Sequence, residues 1–355
     1  MVQSILLRIL LLPFSLIYGF FSILYNTLYD LKILDPVSFN VPVINIGNLT
    51  VGGSGKTPHT EYLIRLLKPF LEVAVLSRGY KRKTKGFKTV ELNDTVLTVG
   101  DEPLLYKRKY PDTGVFVDES RSEGIPYILM KQPNTQVILL DDAFQHRAVK
   151  PGQNILLTTY DKPFFNDFFL PTGTLREWRS SFQRADIIII TKCPFQLTIR
   201  DKENMLQKLN PLPHQRVYFS YYRYYRPYFI YNPSITTDLD ESTDVLLVSG
   251  IASSAYLVQY VADMVNSLEI MDFTDHHQFT TDDLIAIKNN FDPISSSKKI
   301  ILTTEKDATR LDLHRHFILE NKLPVYLLPV DIDFHFGEKS LFEEDIRNYL
   351  LNFKV

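Results

Sequence analysis

The sequence predicts an α/β protein built on parallel sheet, with a phosphate-binding loop at the end of an early strand. Three observations predict it. A β-branched run (Val43, Ile44, Ile46) leads straight into the glycine-rich stretch INIGNLTVGGSGKTPHT, Ile44–Thr60. Apolar runs of strand length alternate with helical stretches, as in sheets covered on both faces. The alternation then resumes beyond an aromatic stretch near Val217–Tyr231, so the 355 residues suffice for two α/β units.

The glycine-rich stretch reads as strand, turn and helix. Thr50, Val51, Gly52, Gly53, Ser54, Gly55, Lys56 and Thr57 form the candidate nucleotide-binding loop. Glycines let backbone N–H groups turn inward around a phosphate chain. Lys56 would reach the β- and γ-phosphates, and the Thr57 hydroxyl would hold Mg²⁺. The following helix, expected over about 60–71, adds its N-terminal partial charge. Pro58 suits a first helical turn. Thr50 stands where G-x-x-x-x-G-K-[ST] has its first glycine, and the plainer alternative is an ordinary glycine-rich turn.

Composition narrows the function classes. With 45% hydrophobic and 23% charged residues the chain is globular. A net charge of −2 gives no global field for nucleic acid. The single cysteine, Cys193, excludes a disulfide framework and a cysteine-based zinc site, and fits a reducing cytosol. Residues 1–30 differ. Ile9–Tyr25 is 17 residues without a charge, interrupted by Pro13, Ser15, Gly19 and Ser22. A spanning anchor, a buried core helix and a helix lying in the inner-leaflet interface all fit. The interfacial helix is expected, because Phe14, Tyr18, Phe20 and Phe21 suit a headgroup boundary. No small-x-small cleavage site marks a signal peptide.

Further strands are expected at Val73–Leu76, Val115–Val117, Val137–Leu140, Ile155–Thr158 and Ile187–Ile190. Ser77-Arg78-Gly79-Tyr80 follows the first of these. The basic run KRKTKGFK after it is either a solvated loop or a patch for anionic groups. The aromatic stretch YFSYYRYYRPYFIY reads as a β-ribbon linker, with single-stranded nucleic acid binding as the alternative. Residues 328–336 alternate at strand period and are expected to pair with it. The second α/β pattern has strands at Val245–Val248, Ile270–Phe273 and Ile300–Leu302, with helices near 254–264 and 282–290. A helix at Leu341–Phe353 closes the chain.

Several residues carry chemistry. Asp141 and Asp142 end the Val137–Leu140 strand, where an acid beside a phosphate loop holds Mg²⁺; a turn or helix cap is the plain reading. Gln145 and His146 could orient a phosphate or a water. Asp101 is either a helix N-cap or a base for an attacking hydroxyl. Asp275-His276-His277 offers an Asp–His dyad or part of a metal site. Arg176, in LPTGTLREW, could clamp a transferring phosphoryl group. Thr304-Glu305-Lys306-Asp307 fits a site or a plain loop.

Together the segments GNLTVGGSGKTP, SRGY, VGDEP, DDAFQHR, LPTGTLRE, DHHQF and TTEKD resemble the tetraacyldisaccharide 4′-kinase family, in that family's order across most of the chain. Ala143 stands where the family usually has glycine. The resemblance implies two α/β/α sandwich domains joined by a two-stranded β-ribbon. The implied boundaries are 1–30 for a membrane-interface helix, 31–216 for a P-loop kinase domain, 217–231 and 327–337 for the ribbon, 232–326 for a smaller domain, and 338–355 for the closing helix. It implies transfer of the ATP γ-phosphate to the 4′-hydroxyl of a tetraacylated glucosamine disaccharide 1-phosphate in lipid A biosynthesis. It pairs Asp101 with His276 in catalysis alongside Lys56 and Arg176, and gives Thr57, Asp141 and Asp142 to Mg²⁺. It places Arg78, Tyr80, Gln145, His146, Glu177 and Glu305 in the cleft. It implies a monomer on the cytoplasmic face of the bacterial inner membrane, peripheral or monotopic, without nucleic acid.

Two other classes share parts of the pattern. A membrane-associated partitioning ATPase usually carries lysine just before the two glycines, where this chain has Val51. A guanine-reading loop needs aspartate at the end of Thr191-Lys192-Cys193-Pro194, and Pro194 cannot accept that bond.

Overall fold

Apolar runs too short for helices become strands here because both faces of each sheet are covered. The computed structural model describes residues 5–354. One sheet takes Val43–Asn48 (β1), Val73–Ser77 (β2), Lys88–Thr89 (β3), Gly114–Val117 (β4), Val137–Asp141 (β5), Gln153–Thr159 (β6), Ile187–Thr191 (β7) and Arg216–Tyr224 (β8). A second takes Tyr228–Phe229 (β9), Asn232–Thr236 (β10), Asp244–Ser249 (β11), Ser267–Asp272 (β12), Lys299–Thr304 (β13) and Val325–Leu328 (β14). Val330–Phe334 (β15) then returns to the first sheet, whose order is β15-β8-β7-β6-β1-β5-β2-β4-β3; the second runs β10-β9-β14-β13-β11-β12. Pairing is parallel through both centres, and β1 lies between β5 and β6 with Ile46 beside Asp141. That register sets the glycine-rich loop next to the two aspartates.

Helices cover both faces. They are Ile5–Asp30 (α1), Lys56–Leu67 (α2), Val96–Val99 (α3), Asp101–Lys109 (α4), Arg121–Lys131 (α5), Ile199–Leu209 (α6), Ala255–Ala262 (α7), Thr281–Phe291 (α8), Glu305–Leu311 (α9), Arg315–Glu320 (α10) and Lys339–Leu351 (α11). On one face of the first sheet, Leu63 and Ile64 of α2 and Phe342 and Ile346 of α11 bury against Ile44, Val75 and Leu139. The other face buries Ile125 and Ile128 of α5 against Leu76 and Ile138, and Met205 and Leu209 of α6 against Leu156 and Ile188. In the second sheet, Leu284 and Ile287 of α8 and Leu257 and Val261 of α7 cover opposite faces.

Two expectations change. The helix after the glycine loop begins at Lys56, because Gly55 at φ 88° makes the turn immediately before it. The aromatic stretch is not a freestanding ribbon. β8 is a full member of the first sheet, parallel to β7 and antiparallel to β15, while β9 joins the second. Most of its tyrosines are engaged in packing, Tyr225 staying exposed: Tyr218 is buried beside Phe342, and the Tyr224 ring lies 4.3 Å from that of Tyr260. Rings consumed in packing are not a stacking platform for bases.

Of the alternatives open for α1, the structure removes the buried core helix. Its apolar side chains point outward, with Phe20 62% and Phe21 63% exposed, while Ser15 is buried. Ser15 Oγ donates to the Phe169 carbonyl and to Thr172, Tyr18 and Ser22 hydroxyls donate to the Arg176 carbonyl, and Asn26 donates to Glu177. Residues 7–30 are long and apolar enough to cross a membrane. Residues 1–4 of the expected segment lie outside the described residues.

His59 anchors α2 to β8. Its Nδ1 lies 2.7 Å from the Gly55 carbonyl, so Nδ1–H donates, and Nε2 lies 3.0 Å from Ser220 Oγ. Burial lowers this imidazole to about 4. A histidine held neutral in the fold charges first in the unfolded chain, so stability falls as pH drops from 6.5 towards 4. For a shift of this size the loss is about 3 kcal/mol. His59→Gln should therefore show a pH 6.5-to-4 decline in unfolding free energy smaller than the parent's by that amount. An unchanged decline in urea titrations would contradict the burial argument.

Candidate active site

The loop Thr50–Thr57 leaves the C-terminal end of β1 and feeds α2. Two of its glycines take backbone angles that side chains avoid, Gly52 at φ 115° and Gly55 at φ 88°. A Cβ on Gly55 would also meet the Tyr222 hydroxyl at 2.9 Å. Lys56 Nζ donates to Asn48 Oδ1 at 3.0 Å and lies 3.5 Å from Asp142 Oδ1. Arg176 grips Asp142 with both terminal nitrogens, at 2.8 and 3.2 Å, and also reaches Asn48. Burial opposes the charge on Asp142, but Lys56 and Arg176 outweigh it and hold the carboxyl well below the usual range. Asp141, the last residue of β5, accepts from Ser77 Oγ at 3.2 Å. Burial and the neighbouring Asp142 charge push its carboxyl up. Two adjacent carboxylates, the buried Asp141 short of positive charge and the partly exposed Asp142, with the Thr57 hydroxyl beyond, form a hard-oxygen donor set that fits Mg²⁺.

A second group faces this loop from the other sheet. His276 Nδ1 lies 2.8 Å from Asp101 Oδ2. Asp101 opens α4 with Gly100 as the N-cap residue, so Asp101 is not the cap. Burial opposes its charge, but a hydrogen bond with Glu102, the Lys306 ammonium and His276 keep its carboxyl well down. Burial and the Asp101 charge push Glu102 up to about 7. The His276 ring lies 4.8 Å from that of Tyr80, tilted by 59°, and Lys81 Nζ donates to the Asp275 and His276 carbonyls at 3.3 Å. The first lysine of the basic run is thus spent on holding the histidine loop. Asp142 and His276 both adopt left-handed backbone, φ 51° and 55°.

Both groups border one cavity of about 640 Å³. Residues 50–57, Asp141, Asp142, Arg176 and His276 line it, as do Arg78, Tyr80, Gln145, His146 and Glu305. Asp101 sits behind His276, outside the lining. Glu177 departs from expectation: it is buried beneath α1, paired with Arg184 at 2.6 Å and hydrogen-bonded by Asn26. The apolar helix above it supplies the cover that sequence spacing does not show. His277 pairs with Asp283 at 2.9 Å and so faces away from Asp101.

Sequence reasoning gave no role to three basic residues here. Arg121 is buried and donates to the Asp141 carbonyl at 3.2 Å. Lys192, at φ 54°, lies 3.6 Å from where a Cβ on Gly53 would stand. Lys306 donates to Glu102 at 2.6 Å. Only the TTEKD stretch gave any signal for these, and it marked a polar loop without singling out the lysine.

The tetraacyldisaccharide-1-P 4′-kinase family model matches residues 7–351. The tetraacyldisaccharide 4′-kinase of Bacteroides thetaiotaomicron is 43% identical over 354 residues, covering 96% of this chain and 92% of its own. That of Phocaeicola vulgatus is 42% identical over 345 residues, covering 96% and 94%. The crystal structure of "apo" form LpxK from Aquifex aeolicus in complex with ATP superposes with a TM-score of 0.73 at 29% identity, covering 97% of this chain and 99% of that one.

Glu61 of α2, Lys109 of α4 and Glu305 of α9 form a triad in the cavity wall, with both carboxylates buried. Lys109 contacts both carboxylates, Glu305 at 2.8 Å. Burial raises Glu61 to about 7 despite that cation. Lys109→Met would strand two buried carboxylates, costing roughly 3–5 kcal/mol. The cost should be larger at pH 8 than at pH 5, where protonation removes the stranded charge. Equal destabilisation at the two pH values in denaturant unfolding would refute this account.

Proposed function

The chain belongs to the tetraacyldisaccharide 4′-kinase family, and from that premise we propose which parts of it bind, position and react. The activity is a phosphotransfer with an alcohol acceptor: the γ-phosphate of ATP passes to the 4′-hydroxyl of a tetraacylated glucosamine disaccharide 1-phosphate in lipid A biosynthesis. The observation carrying the assignment is the 2.8 Å contact of His276 with Asp101, facing the same cavity as the glycine-rich loop.

The first sheet with its helices is the nucleotide domain, and the second sheet the smaller domain. The antiparallel β8–β15 pair is the connection. The chain crosses between the sheets at 225–227 and at Pro329, and the two crossings touch where Tyr225 N–H donates to the Pro329 carbonyl at 3.0 Å. Backbone N–H groups of residues 52–57 and the Lys56 ammonium hold the triphosphate. Arg176 forks onto phosphate oxygens as charge develops. Thr57, Asp141 and Asp142 would hold Mg²⁺, which neutralises phosphate charge when bound. With Asp101 ionised, His276 Nδ1 carries the proton and Nε2 keeps a lone pair. The Asp101–His276 pair takes the proton of the attacking 4′-hydroxyl. Closing the two domains over the cavity keeps water from competing as acceptor.

α1 lies in the cytoplasmic leaflet of the inner membrane with its apolar face in the lipid, beside an acceptor that is itself a lipid. The protein acts as a monomer, and nucleic acid has no part. Transfer of radiolabelled γ-phosphate to the disaccharide tests the whole assignment. Lys56→Ala should abolish transfer while leaving the fold intact. Asp101→Ala and His276→Ala should each lower kcat about 10²–10⁴-fold. Undiminished turnover in either dyad variant would sink the assignment of the base. Removing residues 1–25 should move the protein from membrane pellet to supernatant; unchanged partitioning would show that α1 is not the anchor.

A further inference from the structure

Lys306 is the second residue of α9, in the turn that leaves β13 of the second sheet, and borders the same cavity as Lys56 and Asp142. The other two cations placed on phosphate, Lys56 and Arg176, both come from the first sheet and both rest against Asp142 and Asn48. Lys306 rests against a different carboxylate, Glu102, at 2.6 Å. Its charge favours the ionised forms of Asp101, Glu102 and Asp141, and Glu102, Asp141 and Lys306 line one cavity. The second sheet also touches the phosphate loop directly. A Cβ on Gly53 would stand 3.3 Å from Ala252 Cβ and 4.0 Å from Ser253 N, in the loop after β11.

Resting on the kinase reading above, we propose that Lys306 is a further catalytic residue, a cation that the second sheet delivers to the transferring phosphoryl group. Its ammonium exchanges the Glu102 carboxylate for a phosphoryl oxygen. No covalent bond to Lys306 forms or breaks, and the lysine keeps its proton. Phosphoryl transfer depends on positioning and charge neutralisation more than on covalent help. A donor from the opposite sheet makes that neutralisation conditional on the two sheets being together. Triphosphate bound to the first sheet alone then lacks part of its stabilisation, which protects it from hydrolysis.

The test uses the full chain in detergent micelles with γ-labelled ATP and the disaccharide 1-phosphate. Lys306→Met should lower kcat about 10²–10³-fold, in line with loss of one preorganised donor. KM for ATP and for the lipid should stay within about threefold, and kcat should stay low at every pH, even though loss of the ammonium beside Asp101 and Glu102 moves the profile upward in pH. Lys306→Arg should recover at least a tenth of the parent rate. Glu102→Gln, which removes the resting partner and keeps the ammonium, should lower kcat far less than Lys306→Met. Should Lys306→Met fail to fold, Lys306→Gln takes its place. A kcat within threefold of the parent overturns the proposal. So does a displaced pH profile that restores kcat at another pH, because Lys306 would then act only through the dyad. Equal losses in Glu102→Gln and Lys306→Met overturn it too, since the ion pair alone would then matter. If the parent itself transfers no phosphate to the disaccharide, the kinase reading fails instead.

Discussion

Buried negative charge is the constraint on which this structure turns. Asp101, Asp141, Glu61 and Glu305 are all buried, with Asp142 and Glu102 beside them. A buried carboxylate is tolerated when a cation or several donors face it. Much of that positive charge arrives from the opposite sheet. His276 meets Asp101, Lys306 meets Glu102, Lys109 meets Glu305, and Arg108 meets Asp312 at 2.7 Å. Three of these pairs run along α4 against α9 and the short turn after it. An apolar seam of the same size would hold the sheets together by hydrophobic burial and resist opening. A charged seam can exchange its partners for water or for phosphate at small net cost, which suits the domain closure proposed above.

The same pairs hold backbone out of its comfortable regions. Asp142, Lys192 and His276, with Lys81 beside them, take positive φ. Each such residue costs on the order of 1–3 kcal/mol and persists only where its surroundings over-determine it. Arg176 and Lys56 fix Asp142 from two directions. Tyr80, Lys81 and Asp101 fix His276 from three. The left-handed turn at Asp142, right after a β-strand, aims its carboxylate at the loop cations while Asp141 stays buried toward Ser77. Two adjacent, chemically identical side chains thereby acquire opposite environments. Asp142 is held charged, whereas Asp141 resists charge.

The fold was largely legible because its strongest signals are local. Strand-length runs of β-branched residues, glycines before Lys56 and acids after Leu140 all report on their own few neighbours. The aromatic stretch was half legible: its antiparallel pairing with residues 330–334 follows the expected strand period, but its division between two sheets does not show in residues that look alike. Only long-range pairing separates Tyr218–Tyr224, which belongs to the first sheet, from Tyr228–Phe229, which belongs to the second. The site divides in the same way. The loop and Asp141–Asp142 lie within reach of one β1–β5 register and could be read as a motif. The contact of Asp101 with His276 spans 175 positions and rested on resemblance alone. Lys192, Arg121 and Lys306 are single basic residues, and what distinguishes them is the distant loop, carbonyl or carboxylate each faces, which no spacing encodes.

The N-terminal helix shows how a polar residue can mislead when read one at a time. Ser15 and Ser22 within an apolar run look like defects in a membrane segment. With Tyr18 and Asn26 they fall at spacings of three, four and four, which on a helix is a single stripe. That stripe turns inward and makes hydrogen bonds to the loop that carries Arg176 and Glu177. A helix crossing a bilayer alone would turn these groups toward lipid and give up those bonds. A helix lying flat keeps them, and leaves Phe14, Phe20 and Phe21 free to enter the acyl boundary. The bonds fall on the Arg176 carbonyl itself, so whatever depth α1 takes in the membrane also sets the height of that guanidinium above it. On this arrangement the proposed phosphate clamp and the proposed anchor are one rigid piece, and a lipid acceptor need not leave the bilayer to reach the cavity.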